Sequence, residues 1–145
     1  MLEASWLEVP FHVIDTGGWM PIGDGSALDD KVSKQVEEAV EEADVVLFVV
    51  DASVGLTDDD QMIANWLRRM DRDVMVVANK ADNDRRETDR WEFLSLGLGD
   101  PTPVSALHGR RAGDLLDEVL ARFPAEALAA RDADVVTIDS DGDDI

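Results

Sequence analysis

Cysteine is absent from the 145-residue sequence, which excludes a disulfide scaffold and a thiolate zinc site and gives no sign of secretion. No apolar run approaches the roughly 18–20 residues of a membrane span, and no basic-then-apolar signal peptide opens the chain. Basic residues are scarce, since 13 Lys and Arg stand against 33 Asp and Glu, a formal charge of −20. Phosphate contacts need clustered Lys and Arg, so this balance argues against direct nucleic-acid binding. We therefore expect a cytoplasmic protein without a membrane partner.

Apolar residues, 45% of the sequence, follow two alternating patterns along the chain. Continuous apolar runs are typical of strands covered on both faces, and they occur at 11–15, 45–50 and 74–78, with a shorter one at 102–106. Apolar residues at helical spacing alternate with these runs, at 29–42, from Thr57 to Met70, at 87–96 and at 112–123. Pro103 indicates an edge position for the last strand. The alternation predicts an α/β domain with a mostly parallel sheet and helices on both faces.

Ligands of such sheets bind beyond the carboxyl ends of the strands, and one strand here ends in N-K-A-D, Asn79 to Asp82. The Asp82 carboxylate can accept two parallel hydrogen bonds, which guanine can donate from its ring nitrogen and exocyclic amine and adenine cannot. Asn79 can hold the edge of a base or tie loops together, and the stem of Lys80 can lie over an aromatic plane. A turn with a helix cap would also explain Asn and Asp at these positions.

Two weaker patterns follow other strands. Asp15, at the end of the run 11–15, can hold Mg²⁺ through water, and Gly18, three residues later, lets its backbone N–H approach a terminal phosphate. The pair Ser105–Ala106 can direct a backbone N–H at a base carbonyl. Both patterns occur a second time elsewhere in the chain, so neither is specific by itself. They indicate a ligand site only because each follows an apolar run in the expected order.

The order D-T-G-G, N-K-A-D, S-A-L-H-G resembles that of the third, fourth and fifth motifs of translation-factor-type GTPases. More narrowly, the chain resembles the first GTPase domain of the Der (EngA) family of bacterial ribosome-assembly GTPases, which carry two tandem G domains. The short sequence segments that carry this resemblance are I-D-T-G-G-W, E-A-D-V-V-L-F-V-V-D-A, G-L-T-D-D-D, S-L-G-L-G-D-P and S-A-L-H-G-R. They lie between Phe11 and Pro124. The resemblance implies the three-layer fold of P-loop NTPases and a role in assembly of the large ribosomal subunit.

The resemblance also implies site residues and ligands, namely GTP or GDP with Mg²⁺. Asp82 would recognise guanine, with Asn79 and Lys80 framing the base and Ser105–Ala106 meeting its carbonyl. In the segment D-T-G-G-W, Asp15 would contact Mg²⁺ through water and Gly18 the γ-phosphate, with Thr16 and Gly17 between them. Trp19 occupies the place where many small GTPases carry a water-orienting glutamine, and no catalytic residue is assigned because an indole cannot activate water.

One family motif is missing, because G-x-x-x-x-G-K-[ST] occurs nowhere in the sequence. We therefore expect an N-terminally truncated domain, with 1–124 a partial G domain and 125–145 an acidic, flexible linker or tail. In this family the strand before the phosphate loop lies between those represented here by 11–15 and 45–50. Loss of that strand predicts two open strand edges and poor folding. We therefore expect this chain alone to bind GTP weakly or not at all and to have no GTPase activity. Ribosome contacts would belong to the full-length protein.

Two other functions fit parts of the sequence. In a receiver-like signalling domain, Asp51 would accept a phosphoryl group and Lys80 would stabilise it, but that fold needs an acidic pair where Asp15 stands alone. A non-catalytic interaction module would use the acidic surface or tail to bind basic ribosomal proteins, although an acidic helix face is more often simply solvated.

Overall fold

The computed structural model describes residues 2–6, 9–15, 27–80, 90–104, 112–131 and 133–139. In these residues six strands form one sheet: β1 (Leu2–Trp6), β2 (Val9–Asp15), β3 (Val45–Asp51), β4 (Val74–Asn79), β5 (Thr102–Pro103) and β6 (Asp134–Asp139). The helices of the described part are α1 (Ala27–Glu42), α2 (Asp58–Met70), a 3₁₀ helix (Arg90–Leu96), α3 (Ala112–Arg122) and α4 (Ala125–Ala130).

The strands lie in the order β1-β2-β6-β3-β4-β5. β1 pairs with β2 in antiparallel fashion, and the other neighbouring strands are parallel. Strand β5, which contains Pro103, lies at one edge, as its proline predicts. Because β2, β6, β3 and β4 run in the same direction, their carboxyl ends all lie at one edge of the sheet, where ligands of such sheets bind.

Apolar side chains cover both faces of the sheet. On one face, alternate residues of β3 such as Phe48 pack with α1, α2 and the 3₁₀ helix; on the other, the intervening residues such as Val49 pack with α3 and α4. Every residue of β3 is buried, which explains why its sequence is continuously apolar rather than alternating. The three-layer α/β architecture predicted from the sequence is therefore confirmed.

Helix α2 begins where its sequence predicts. The Thr57 hydroxyl accepts a hydrogen bond from the Asp60 backbone N–H (3.1 Å), and the Asp60 carboxylate accepts one from the Thr57 N–H (3.0 Å). This capping box satisfies two backbone donors that the first turn leaves without helical partners. The cap fixes where the loop after β3 ends, and that loop borders the carboxyl edge.

The prediction of a flexible acidic tail is wrong for residues 134–139. They form β6, the strand between β2 and β3, and Val136 and Ile138 are fully buried there. The predicted pair of open edges is wrong for the same reason, since β6 pairs with both neighbours. Burial of the apolar residues in A-D-V-V-T-I outweighs the acidity around them. The domain division at residue 124 stays a prediction.

Among the helices that the structure describes, none combines the length and apolar character needed to cross a membrane.

Candidate functional site

Polar residues stand at the carboxyl ends of β2, β3 and β4. Asp51 and Asn79 are register partners at the ends of β3 and β4. Asp15 ends β2 and pairs with Thr137 of β6, which in turn pairs with Leu47, four residues before Asp51. Asp15 and Asn79 are therefore three strand spacings apart, about 14 Å, and also displaced along the strand direction. This separation suits an elongated ligand with chemically different ends.

The Asp51 carboxylate is the centre of the site. It is 7% exposed, and one of its oxygens accepts hydrogen bonds from the Ser53 backbone N–H (2.8 Å) and hydroxyl (2.5 Å). Its other oxygen accepts from the Lys80 ammonium at 2.8 Å. A buried carboxylate needs such partners because an unpaired charge is costly to remove from water. The contact joins the ends of β3 and β4 through their side chains.

The pKa of Asp51 lies below its usual value. Burial is the largest single influence and would raise that pKa, because it disfavours the charged form. The hydrogen bonds from Lys80 and Ser53, together with the charge of Lys80, favour the ionised form and outweigh burial. Asp51 is therefore a carboxylate at neutral pH, and it carries the structural ion pair of this edge.

The backbone around Lys80 is arranged to make this contact. Lys80 has a φ of 66°, in the left-handed region that costs a non-glycine residue about 1–2 kcal/mol. The turn places the ammonium back over β3, while the side chain stays 40% exposed. The Asn79 carbonyl accepts from the Ala52 N–H (2.8 Å), so the two strand ends are also joined through the backbone. The left-handed turn at Lys80 is therefore held both by its ammonium and by the backbone of Asn79.

Three of the ten predicted site residues lie in the described part. Asn79 and Lys80 end β4 together, and Asp15 ends β2, where its backbone alone is described. Seven lie outside the described residues: Thr16, Gly17, Gly18, Trp19, Asp82, Ser105 and Ala106. Val104, the last described residue before this segment, donates its N–H to the Ala78 carbonyl (3.0 Å) and so lies beside the end of β4. The roles of all ten stay predictions.

Sequence reasoning missed Ser53 and Glu92. Ser53 follows Asp51 by two residues, a spacing typical of a carboxylate that closes a turn on its own backbone, and this signal could have been read. Glu92, on the 3₁₀ helix, accepts the Leu56 N–H at 2.7 Å, and a side-chain carbon added to Gly55 (φ 92°) would lie 2.7 Å from the same carboxylate oxygen. Nothing local in the sequence indicates this contact. Together they hold the loop after β3.

Magnesium could be held at the Asp15 end of the edge. The part of the chain that the structure describes contains no group of three or more acidic or His side chains suited to a metal cage. Mg²⁺ bound with a nucleotide takes one or two carboxylates and fills its remaining positions with water and phosphate oxygens. One carboxylate at a strand end fits that requirement.

Comparison with known proteins places this geometry in context. The profile of a family described as "50S ribosome-binding GTPase" matches residues 2–80, more than half of the chain. GTPase Der from Desulfitobacterium hafniense is 43% identical over 94% of this chain and 31% of that protein. GTPase Der from Salinispora tropica is 51% identical over 84% of this chain and 26% of that protein. The chain spans about a third of the length of these curated relatives or less.

Solved structures give the same result for the fold. An Era variant from Aquifex aeolicus bound to GDP·AlF4⁻ has a TM-score of 0.62 at 27% identity, over 74% of this chain and 38% of that one. Era in complex with MgGDPNP and a segment of 16S ribosomal RNA has a TM-score of 0.60 at 25% identity, with the same coverages. A probable GTP-binding protein, EngB, shares the fold (TM-score 0.61 at 18% identity) over 83% of this chain and 81% of its own.

The family profile, the curated relatives and the structural neighbours together define a GTPase-type α/β domain. The chain belongs to the family of 50S ribosome-binding GTPases, and it is similar to GTPase Der along most of its length. The resemblance inferred from the sequence motifs is confirmed. The receiver-like alternative gains no support from these comparisons, and the Lys80 ammonium contacts the Asp51 carboxylate itself.

Proposed function

We propose that this chain supplies the guanine-recognising part of a GTPase that acts in assembly of the large ribosomal subunit. The observation that carries the proposal is the N-K-A-D segment: Asn79 and Lys80 close a parallel strand at the carboxyl edge, and Lys80 is fixed to Asp51. A rigid turn at this place would present Asp82 to the two adjacent N–H groups of guanine.

The phosphate end of the ligand would lie toward Asp15. Its position three strands from Asn79 leaves room for a sugar and phosphates between base and metal. When bound, Mg²⁺ would neutralise phosphate charge, which matters in a chain of net charge −20. Gly18 would direct its backbone N–H at the γ-phosphate, with Thr16 and Gly17 between it and Asp15, and the indole of Trp19 would not activate water.

The ribosomal role rests on the family. The matched profile is described as 50S ribosome-binding, and the Era structure contains ribosomal RNA. The acidity of this chain disfavours direct contact with RNA phosphates, so we assign ribosome contacts to the full-length protein. The cytoplasmic location stays a prediction.

The proposal is tested by base specificity. A chimera would carry the strand and G-x-x-x-x-G-K-[ST] loop of a Der relative in front of this chain, and labelled GTP, XTP and ATP would be titrated with Mg²⁺. We expect Asp82→Asn to shift preference from GTP to XTP by at least about a hundredfold. The aspartate of the parent would pair with guanine but not xanthine, and the asparagine of the variant would pair with xanthine but not guanine.

Asp100→Asn is the matched control, since Asp100 is exposed and follows no parallel strand. It should leave the preference for GTP unchanged. Equal discrimination by the Asp82→Asn chimera and its parent would remove Asp82 from its proposed role, and a parent that preferred ATP would refute guanine recognition itself.

A further inference from the structure

A small cavity lies at the amino ends of the strands, on the side of the sheet opposite the candidate nucleotide site. Its wall includes Val74, the first residue of β4, whereas Asn79 and Lys80 stand at the other end of that strand. An extended strand places Val74 and Asn79 about 16 Å apart. The cavity has a volume of about 350 Å³, near the lower limit for small-molecule pockets. It is therefore separate from the candidate nucleotide site and sized for a small ligand.

Three arginines line this cavity, although the chain has only 13 basic residues against 33 acidic ones. Arg68 lies in the last turn of α2, Arg72 lies two residues beyond that helix, and Arg122 ends α3. Asp71 and Asp73 also line the cavity, so its wall carries three positive and two negative side chains. The arginine cavity, as we call it, therefore has a positive wall in a chain of net charge −20.

Backbone carbonyls hold two of the arginines in place. The Arg68 guanidinium donates to the carbonyl of Leu96 and to the side-chain oxygen of Asn65. Arg72 donates to the Ala43 carbonyl at 2.5 Å. Leu96 ends the 3₁₀ helix and Ala43 directly follows α1, and basic side chains commonly satisfy carbonyls at such helix ends. A guanidinium has five N–H donors, so each arginine keeps donors for a further acceptor.

Gly97 makes room for Arg68 at the wall of the cavity. Its φ of 74° lies in the left-handed region, and a Cβ added there would lie 3.0 Å from Nη1 of Arg68. A residue with a side chain would therefore be strained at this position and would displace the guanidinium. The backbone at Gly97 is shaped to accept Arg68.

The pattern of ion pairs distinguishes the three arginines. Arg122 contacts the carboxylates of Asp73 at 2.6 Å and Glu118 at 3.2 Å. Within the described part of the chain, Arg68 and Arg72 form no ion pair with a carboxylate. A phosphate monoester carries close to two negative charges at neutral pH, and its oxygens suit the paired N–H donors of guanidinium groups. Two arginines without a carboxylate partner match such a dianion in charge and in hydrogen bonding.

We propose that the arginine cavity binds the phosphate group of a small phosphate ester through Arg68 and Arg72. Arg122 forms part of the wall, fixed there by its own carboxylate partners. Asp71 opposes the ligand and limits its affinity. This inference does not depend on the proposed function, because the cavity and the nucleotide site lie at opposite ends of β4.

The test measures thermal unfolding of the complete chain in inorganic phosphate and in glycerol 3-phosphate, each compared with chloride at equal ionic strength and neutral pH. A ligand at roughly ten times its Kd should raise the Tm by about 3–6 °C. Phosphate also stabilises proteins by being excluded from their surfaces. The difference between variants, rather than the shift alone, therefore reports binding.

The double variant Arg68→Gln and Arg72→Gln should lose the additional shift. Arg69→Gln is the matched control and should keep it, because Arg69 is exposed on the same helix but does not line the cavity. Asp71→Asn should lower the Kd for phosphate by at least about threefold, because it removes a negative charge from the wall. Asn tolerates the left-handed φ of 55° at this position, so we expect this variant to keep its fold.

Equal shifts in the parent and the double variant would overturn the proposal, and so would an unchanged Kd in Asp71→Asn. Acetate at the same ionic strength should give no shift beyond that of chloride, and a shift as large as that of phosphate would refute the assignment to phosphate. Glycerol 3-phosphate without effect would refute the assignment to an ester.

Asp82→Asn separates this site from the proposed guanine site. It should leave the phosphate shift unchanged, whatever its effect on nucleotide preference. Loss of the phosphate shift in Asp82→Asn would place the anion at the nucleotide end of the sheet and overturn the arginine cavity as its site.

Discussion

At the scale of single residues, Asp51 is the buried carboxylate that joins the ends of β3 and β4. Its carboxylate is buried, faces an ammonium and accepts two hydrogen bonds from Ser53. Removal of one member of such a group leaves the others without partners in a poorly solvated place, which costs more than the net worth of the interaction. Asp51 therefore couples the stability of the domain to the geometry of the edge where a nucleotide would bind.

We expect Asp51→Asn to lower the free energy of unfolding at pH 7 by about 1–3 kcal/mol, measured by urea denaturation. The lowered pKa of Asp51 also sets the pH dependence. Its ionised form stabilises the folded state above the unfolded pKa of about 3.9, and this contribution disappears as the pH falls through the lower folded value. Stability of the parent should therefore fall more steeply below about pH 4 than that of Asp51→Asn. Parallel acid limbs for the two proteins would contradict this role.

The single elements have different origins in the sequence. Helix α2 begins at a cap that Thr57 and Asp60 form locally, and β3 is apolar at every position because both of its faces are covered. β6 is shorter in apolar sequence and stands among aspartates, so its place in the sheet depends on the neighbours that it meets. Among the described elements, β6 is the one whose position differs most from the sequence prediction, which was a flexible tail.

The place of β6 is tested by a core truncation. Ile138 is fully buried, so Ile138→Ala should lower the free energy of unfolding by about 2–5 kcal/mol, with an unchanged m-value in urea. Val54→Ala is the matched control: Val54 is 69% exposed, and its truncation should cost less than about 0.5 kcal/mol. If Ile138 belonged to a solvated tail, the two variants would be equally stable.

The molecule as a whole carries a formal charge of −20 over 145 residues. Self-repulsion of this size opposes the compact state, and dissolved salt screens it over about 10 Å at 0.1 M. The same negative charges would also repel an anionic nucleotide. A local cation, such as the Lys80 ammonium or Mg²⁺, would therefore have to offset more negative charge here than in a neutral domain.

Stability should rise with salt. Raising NaCl from about 0.05 M to about 0.5 M at pH 7 should increase the urea midpoint, because salt screens the repulsion that the large excess of negative charge produces in the folded state. Near the sequence pI of about 4.1 the net repulsion disappears, and the same addition of salt should have a much smaller effect. A midpoint that depends equally on salt at both pH values would attribute the effect to the salt itself rather than to the charge of the protein.

The local elements and the order of motifs were predictable from the sequence. Each of these features depends on residues a few positions apart: the start of a helix at Thr57, Pro103 at a sheet edge, and Asn79 and Lys80 after a buried strand. The family could be inferred because several short motifs follow apolar runs in a characteristic order. The contact between Lys80 and Asp51 bridges 29 residues and depends on two strands being adjacent, so the spacing of these residues alone could not establish it.

The sequence by itself determined the class of the domain, since hydrophobic periodicity and turn residues act over one or two turns of chain. Only the tertiary structure decided that Asp134–Asp139 lies at the centre of the sheet. Strand pairing is non-local: a run such as V-V-T-I among aspartates stays solvated unless two strand edges and two apolar layers are present to receive it. Here β2 and β3 provide those edges, and burial of Val136 and Ile138 outweighs the acidity of the segment that contains them.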